Sequence, residues 1–361
     1  MPNPLKVGLI GTGSIAHSHL AAYNQFTDVV RLTALCDIRE EALKNFANEA
    51  NVDALYTDFN ELLRNADLDA VDICTTHDQH EPQVIAAAAA GKHILVEKPM
   101  GRTMRECREM IAATEREGVV FMVGQDLRFL PHTLAIKHRI DEGELGTIRV
   151  TNCELIHNMR TGYPGGHWLI DGKIAGGGIL IWGMIHQIDL LRYYIGDVKS
   201  VSGACRTVHS EYINGAEEYA CATLEFENGA IGNLLAISSP TRSPQGLQYM
   251  IFGEDGTIYA NSTQARSRVE QFGQGMISSS QRGEQGEKQT ENFGDFVPIE
   301  PFMEGLASDD PFVNEILHFA QCCQQGKEPI TSGKDNLGTI KVVFGIYESS
   351  RTGQKIDLAL L

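Results

Sequence analysis

A glycine-rich motif near the start of the chain has the residue types and spacing of a dinucleotide site. Gly11-Thr12-Gly13-Ser14-Ile15-Ala16 follows the apolar run Leu5–Ile10 and opens a helical pattern. The first glycine of such a motif allows a tight turn, the second lets the backbone approach a diphosphate, and the alanine permits close packing of helix on sheet. The N–H groups at the start of the helix favour the anion. The motif predicts binding of a dinucleotide.

An acidic residue at the end of the next strand-like run bears on which dinucleotide is bound. Asp37 lies 24 residues after Gly13, where a carboxylate can accept both hydroxyls of the adenosine ribose. It would repel the 2′-phosphate of NADP, whereas Arg39 could bind that phosphate. The sequence favours NAD and leaves NADP open. The alternative is a structural turn followed by a surface aspartate.

A lysine follows the fifth predicted strand, whose apolar run is Ile94–Val96, within Glu97-Lys98-Pro99. Doubly wound sheets bind ligands beyond the carboxyl ends of their strands. We therefore expect Lys98 to point into the cleft beside the nicotinamide of the cofactor. A surface lysine at a strand end is the alternative.

A histidine and an aspartate three residues apart lie on a helix in the second half of the chain. Gly176-Gly177-Gly178 opens this helix, and the spacing of His186 and Asp189 places them on one face. Histidine can take a proton near neutral pH, as the oxidation of an alcohol requires. A core histidine, with Asp189 paired to Arg192, is the alternative.

The elements that must position these residues differ between the two parts of the chain. Up to about residue 125, nearly continuous apolar runs alternate with helical patterns, which predicts an α/β Rossmann domain with a doubly wound parallel sheet. The predicted strands and helices of this part are 5–10, a helix that follows it and ends at about residue 23, 30–36, 39–50, 62–66, 70–75, 82–90 with Pro82 near its start, 94–96, 104–117 and 119–123.

The second part reads as an α+β domain on a mostly antiparallel, open-faced sheet. Sequential strands dominate it, and Glu227-Asn228-Gly229 is a hairpin signal between two of them. The stretch 273–294 is predicted to be a loop or a protruding hairpin. The other predicted strands and helices are 133–142, 148–156, 177–195, 201–207, 219–226, 230–237, 248–252, 257–259, 311–324 and 334–352.

Length and composition limit the function further. The 361 residues suggest two domains, 1–125 and 126–361, and the C-terminal helix can pack back on the first. A formal net charge of −17 disfavours nucleic acid and membrane surfaces as partners. No apolar run approaches the ~20 residues of a membrane span, and no signal peptide is evident, so we expect a cytoplasmic protein. The eight scattered cysteines are expected to be reduced structural thiols, and no metal site is predicted.

Taken together, these motifs resemble the Gfo/Idh/MocA family, the relatives of glucose–fructose oxidoreductase and inositol dehydrogenase. The resemblance covers essentially the whole chain. It rests on Gly11–Ala16, Thr75-Thr76 to His80, Glu97-Lys98-Pro99, Gln125 to Arg128, Gly143-Glu144-Leu145-Gly146, and the triple-glycine helix with His186 and Asp189. It implies a Rossmann domain with an open-faced α+β domain, and an NAD(P)-dependent oxidoreductase acting on a secondary hydroxyl of a sugar, glycoside or inositol-type polyol. It also implies a homodimer or homotetramer formed through the C-terminal sheet.

The resemblance also implies roles for individual residues. Lys98 would hydrogen-bond the reacting hydroxyl, His186 would accept its proton, and Asp189 would assist positioning. The residues expected at the cofactor are Gly11, Thr12, Gly13, Ser14, Ile15, Asp37, Arg39, Thr75, Thr76, His80, Glu97, Lys98 and Gln125. Those expected at the substrate are Lys98, Arg128, His157, Trp168, Trp182, His186 and Asp189, with Arg160, Tyr163 and His167 as further candidates.

One departure from the family pattern affects the choice of base. Many relatives carry an aspartate four residues before the histidine, where this chain has Trp182. An indole there could cover the apolar face of a pyranose, or it could pack in the core. Two other functions remain open, namely an NAD-assisted glycosidase with transient oxidation and a non-catalytic NAD-binding sensor.

Overall fold

The computed structural model describes residues 3–158, 165–239, 246–263, 276–279, 297–298 and 305–361. The chain forms two compact units. The first contains residues 1–129, 171–176 and 306–340, and the second contains 130–170, 177–305 and 341–361. The first unit thus extends past residue 125 and includes two later segments of the chain.

The first unit is built on a six-stranded parallel sheet in the order β3-β2-β1-β4-β5-β6. Its central strands are buried along nearly their whole length, as the continuous apolar runs predict. The strands are β1 (Leu5–Ile10), β2 (Val30–Cys36), β3 (Leu55–Tyr56), β4 (Ala70–Ile73), β5 (His93–Glu97) and β6 (Phe121–Gly124).

Helices connect these strands, and the apolar pattern finds most of them. Helix α4 starts at His77, five residues before the predicted start, so the prediction that Pro82 lies near its beginning is wrong. The apolar pattern misses the first half of this helix because its buried face carries polar residues, namely His77, His80 and Gln83. The helices of this unit are α1 (Ser14–Tyr23), α2 (Glu40–Ala50), α3 (Phe59–Asn65), α4 (His77–Ala89), α5 (Met104–Glu117), α7 (Gly172–Ala175), α9 (Pro311–Gln325) and the first part of α10 (Gly333–Thr352).

The second unit contains a nine-stranded sheet in the order β14-β13-β12-β11-β7-β10-β9-β8-β15. The pairing is antiparallel except between β7 and β10. Within 273–294, residues 276–279 form a strand, and the remainder lies outside the described residues. The strands are β7 (Ile148–Ile156), β8 (Val198–Arg206), β9 (Tyr219–Phe226), β10 (Ile231–Ile237), β11 (Gly246–Gly253), β12 (Gly256–Thr263), β13 (Met276–Ser279), β14 (Val297–Pro298) and β15 (Ile356–Asp357).

This unit has two further helical segments, of which the first packs on the second, and the second packs on the sheet, as the end of α10 does. They are α6 (Pro131–Asp141) and the predicted helix 177–195, which divides into a π-helical turn, Leu180–Met184, and helix α8, Ile185–Ile195. Residues 172–195 are long and apolar enough to span a membrane, which corrects the expectation that no run approaches that length. In the structure 78% of the most apolar window is buried inside the protein, as in a core helix.

The cysteines are all free thiols, as predicted. Six of them are buried, and Cys221 alone is exposed.

Candidate active site

The glycine-rich turn between β1 and α1 leaves space for an anion. Gly11 has φ +96°, and a Cβ on it would lie 2.7 Å from the carbonyl oxygen of Cys74, so glycine is required there. A Cβ on Gly13 would meet no atom within 4 Å among the described residues. Gly13 is also the N-cap of α1, where no side chain of the described part of the chain caps the helix. The turn therefore fits the diphosphate of a dinucleotide.

Asp37 follows β2 and reaches back to this turn. Its Oδ2 accepts hydrogen bonds from the backbone N–H and the hydroxyl of Thr12, both at 2.9 Å. Arg39 donates to the same carboxylate from its backbone N–H at 2.9 Å and from its guanidinium at 3.1 Å. Burial opposes ionisation, but these hydrogen bonds lower the pKa of Asp37 to about 2. A ribose would therefore meet a carboxylate at neutral pH and share it with Arg39.

Replacing Asp37 by alanine is expected to weaken NAD binding more than NADP binding. Without the carboxylate, NAD loses charge-assisted hydrogen bonds worth roughly 1.5–3 kcal/mol each. The 2′-phosphate of NADP is at the same time no longer repelled by a negative charge. Titration of both dinucleotides by calorimetry measures the change. Glu40→Ala, an exposed acid three residues on, serves as the control. A wild-type preference for NADP would contradict the assignment and give Arg39 the dominant role.

Lys98 lies immediately beyond the buried strand β5 and is itself partly exposed. Its backbone N–H donates to Oε2 of Glu97 at 3.2 Å. The carbonyl of Pro99 accepts from Nδ1 of His80 at 2.9 Å. Hydrogen bonds therefore fix the backbone of this segment at Lys98 itself and at the residue after it.

The other residues expected at the cofactor differ in accessibility. His80 is fully buried with its ring nitrogens near the carbonyls of Pro99 and Thr75, an arrangement that positions two strand ends. Glu97 is also buried. Thr75 and Thr76 are partly exposed. Gln125, after β6, is 1% exposed, and its amide has no hydrogen-bond partner among the described residues, so it has donors and an acceptor to offer a ligand.

Arg128 has a structural arrangement in the first unit. It is 4% exposed, donates to the carbonyl of Ile330 at 2.9 Å and pairs with Asp335 at 2.7 Å. The guanidinium thus binds Ile330 before α10 and Asp335 in the first turn of α10, which disfavours the predicted contact with a substrate.

A buried charged network, which the sequence analysis missed, lies next to Lys98. His19 on α1 is within 2.8 Å of Asp72 through Nδ1 and within 3.2 Å of Glu97 through Nε2. Tyr23 donates to Asp72 at 3.0 Å, and the thiol of Cys74 lies 3.5 Å from it. His19, Asp72 and Cys74 are also of metal-ligand type, with ligand atoms within 4.8 Å of one another. The signal was a histidine among Ala16, Leu20 and Tyr23 on the buried face of α1.

In the second unit Gly177, Gly178 and Glu217 lie at the start of the helical segment that carries His186. The carboxylate of Glu217 accepts from the backbone N–H groups of Gly178 at 2.6 Å and Leu180 at 2.7 Å. A Cβ on Gly178 would lie 1.9 Å from the Glu217 carbonyl oxygen, so only glycine fits. Burial raises the pKa of Glu217 to about 7.

His186 is one of three residues of α8 that are not buried, the others being Arg192 and Tyr193. Arg192 pairs with Asp197 at 2.6 Å. Asp189 is 1% exposed, so it lies inside the unit. The exposed edge of α8 thus presents His186 without Asp189.

The aromatic candidates of this unit differ in exposure. Trp182 lies in the π-helical turn and is 7% exposed, which leaves little of the indole to cover a sugar and favours the core role. Trp168, His167 and His157 are partly exposed. Arg160 and Tyr163 lie outside the described residues.

Trp182→Ala is expected to lower the free energy of unfolding by about 3–5 kcal/mol, because it would leave a cavity. Thermal unfolding measures the loss, and KM for the substrate is measured on the same variant. Trp168→Ala is the matched control. Trp168 is partly exposed, so its replacement should lower the free energy of unfolding by less. A raised KM with an unaltered melting temperature for Trp182→Ala would show that the indole covers the substrate instead.

Two family models match the chain in order. Residues 5–125 match the oxidoreductase family with an NAD-binding Rossmann fold, and residues 137–358 match the C-terminal alpha/beta domain of the same family, Gfo/Idh/MocA. Together they cover well over half of the chain.

Individual relatives are similar over at least 90% of their length. Myo-inositol 2-dehydrogenase of Thermotoga maritima is 26% identical over 98% of both chains. D-apiose dehydrogenase of Paraburkholderia graminis is 29% identical over 99% of this chain and 90% of its own. The structure of levoglucosan dehydrogenase with NADH superposes with a TM-score of 0.86 at 23% identity, over 99% of each chain, which shows the shared fold.

Proposed function

The chain belongs to the Gfo/Idh/MocA oxidoreductase family, and on that premise we propose that it oxidises a secondary hydroxyl of a sugar or an inositol-type polyol with NAD. The family matches agree with four predictions from the sequence: the family, the two-domain fold class, NAD as cofactor and an NAD-dependent dehydrogenase. The substrate class follows from the relatives that act on myo-inositol and D-apiose.

The observation that carries the proposal is the position of Lys98. The diphosphate turn follows β1 and Lys98 follows β5, with only β4 between them in the sheet. Both features lie at the carboxyl ends of parallel strands, where such sheets bind ligands. A partly exposed lysine there suits a hydroxyl that becomes an alkoxide.

The residues of this chain would divide the chemistry as follows. The turn at Gly11–Gly13 and Asp37 hold the dinucleotide, which when bound supplies the acceptor of the hydride. Lys98 donates a hydrogen bond to the reacting oxygen and stabilises the negative charge that develops on it. The resemblance assigns the hydroxyl proton to His186, and that role stays a prediction.

A panel of inositols, aldoses, glycosides and anhydrosugars, with NAD and NADP, tests the proposal. We expect reduction of NAD, measured by absorbance, for at least one member of the panel, with an oxidised product of the same carbon skeleton. Cleavage of a glycoside without net reduction of NAD would contradict the dehydrogenase and favour the glycosidase. Dinucleotide binding with no turnover of any member would favour the sensor.

We also propose a homo-oligomer formed through the outer face of the nine-stranded sheet. Apolar side chains lie on this face, among them Val150 at 37% and Ile231 at 50% exposure. Sedimentation of the purified protein tests the assembly, and a monomer would contradict it.

A cytoplasmic location remains our expectation, since all eight thiols are free, and cell fractionation tests it.

A further inference from the structure

Glu217 binds three consecutive backbone N–H groups at the start of the helical segment that carries His186. Its Oε2 accepts from Gly178 at 2.6 Å, and its Oε1 accepts from Leu180 at 2.7 Å. The N–H of Ile179, between them, donates to the carbonyl oxygen of Glu217 at 3.1 Å. The first N–H groups of a helix have no partner within the helix. In this segment one residue, Glu217, supplies acceptors for three of them.

The hydroxyl of Tyr347 and two glycines complete the surroundings of Glu217. Tyr347, on α10, donates to Oε1 of Glu217 at 3.2 Å. A Cβ on Gly177 would overlap this hydroxyl, and a Cβ on Gly178 would overlap the backbone of Glu217. Glycine at both positions therefore allows the chain to pass close to Tyr347 and Glu217. All four residues belong to the second unit.

The residues between this anchor and His186 lie inside the second unit. Ile181, Met184 and Ile185 are fully buried, and the π-helical turn continues directly into α8. A close-packed interior transmits a displacement rather than absorbing it. The position of the imidazole therefore depends on the hydrogen bonds at the start of the segment.

We propose that Glu217 is a positioning residue, which holds His186 where its imidazole can accept the proton of the substrate hydroxyl. The inference rests on the proposed function and on the predicted role of His186. One helical turn before His186 this chain has Trp182, whose indole offers the imidazole no carboxylate. Fixing the backbone at the start of the segment supplies the orientation that such a carboxylate would give.

The proton transfer that Glu217 would support balances in atoms and electrons. The substrate carbon loses a hydride to NAD, and its hydroxyl becomes a carbonyl as the O–H bond breaks. The proton passes to the neutral imidazole of His186, which releases it to water before the next turnover. Glu217 exchanges no proton in this step. Its effect is geometric, and a misplacement of about 1 Å can lower a rate about 100-fold.

A double-mutant cycle of Glu217→Gln and His186→Gln in the intact protein tests the inference. The amide of the glutamine keeps an oxygen for one of the two N–H groups but presents its own NH2 group to the other. We expect kcat of Glu217→Gln to fall about 30- to 100-fold, while KM for the substrate stays within about threefold. Assays at about pH 9 keep the carboxyl of the wild type ionised, since burial raises the pKa of Glu217 to about 7.

The second arm of the cycle separates positioning from a general loss of structure. His186→Gln alone should lower kcat about 100-fold or more, as the loss of a general base does. In that background Glu217→Gln should lower kcat by less than about threefold, because no imidazole is left to position.

Glu218→Gln is the matched control. Glu218 is the next residue, is also buried, and accepts from the backbone N–H groups of Val208 and His209 at 2.5 and 2.6 Å, in the loop after β8. Glu217→Gln and Glu218→Gln should both lower the melting temperature, but Glu218→Gln should leave kcat within about threefold of the wild type. A loss of kcat that only follows lost stability would appear in both variants.

Tyr347→Phe removes one hydroxyl and serves in the same cycle if Glu217→Gln does not fold. We expect its kcat to be about 3- to 10-fold lower than that of the wild type, and unchanged in the His186→Gln background. Additive losses in the cycle, or wild-type kcat in the positioning variant or in His186→Gln, would overturn the inference. A wild type that oxidises no sugar or polyol would instead refute the proposed function.

Discussion

Replacing Lys98 by methionine should lower kcat by about 100- to 1,000-fold, while the dissociation constant of NAD changes only a few-fold. Methionine keeps most of the length of the side chain but cannot donate to the reacting oxygen, and loss of one such donor costs about that much. The dinucleotide is held at the Gly11–Gly13 turn, on another strand of the sheet. Steady-state kinetics and fluorescence titration of NAD measure the two quantities.

Lys92→Met is the matched control for this experiment. Lys92 precedes β5, whose other end leads to Lys98, and its Nζ donates to the carbonyl of Leu68 at 2.8 Å. Its replacement should leave kcat within a few-fold of the wild type. If Lys98→Met keeps more than about a tenth of wild-type kcat, a loss below ~1.4 kcal/mol, Lys98 has no part in the chemistry.

Replacing His19 by glutamine should lower the free energy of unfolding by about 3–5 kcal/mol, because it leaves Asp72 and Glu97 buried without their cation. Burial opposes the charge, but attraction by Asp72 and its hydrogen bond hold the pKa of His19 well above its ordinary value. This stabilisation is complete below about pH 6.5 and is lost as pH rises through the raised pKa. The gap between wild type and variant should therefore narrow at alkaline pH.

His17→Gln separates the network from a general effect of changing a histidine on α1. His17 pairs with Glu49 at the surface, where both side chains are about half exposed, and such pairs are worth about 0–1 kcal/mol. Denaturant unfolding at several pH values measures both variants. Equal losses of unfolding free energy for His17→Gln and His19→Gln would refute the assignment of His19 as a cation between Asp72 and Glu97. A difference between wild type and His19→Gln that widens with pH would refute it too.

The sequence predicts those elements whose apolar pattern is local and complete. The bounds predicted for β2, α5 and β9 are those observed, since each is a run of suitable period between turn residues. Strand β3 has two residues, too few to show a period. The π-helical turn before α8 could not be predicted from apolar spacing, because that spacing does not separate one π-helical turn from an α-helical one.

In the site, too, the residues that a local pattern marks could be predicted, and those that depend on distant parts of the chain could not. Asp37 and Lys98 were predicted because each follows a strand, and the carboxyl end of a parallel strand is where ligands bind. The network around His19 could not be predicted, since it joins Asp72 and Glu97 from elements far apart in the chain. Only folding brings their carboxyl groups together.

Transfer of deuterium from substrate to cofactor tests the central claim most directly. A sugar or polyol that the panel identifies would be deuterated at its carbinol carbon and incubated with NAD, and the reduced cofactor would be analysed by mass spectrometry. The account predicts one deuterium in each reduced nicotinamide and a ketone on the labelled carbon. Reduced cofactor without deuterium, or a cleaved glycoside with no net reduced cofactor, would contradict it.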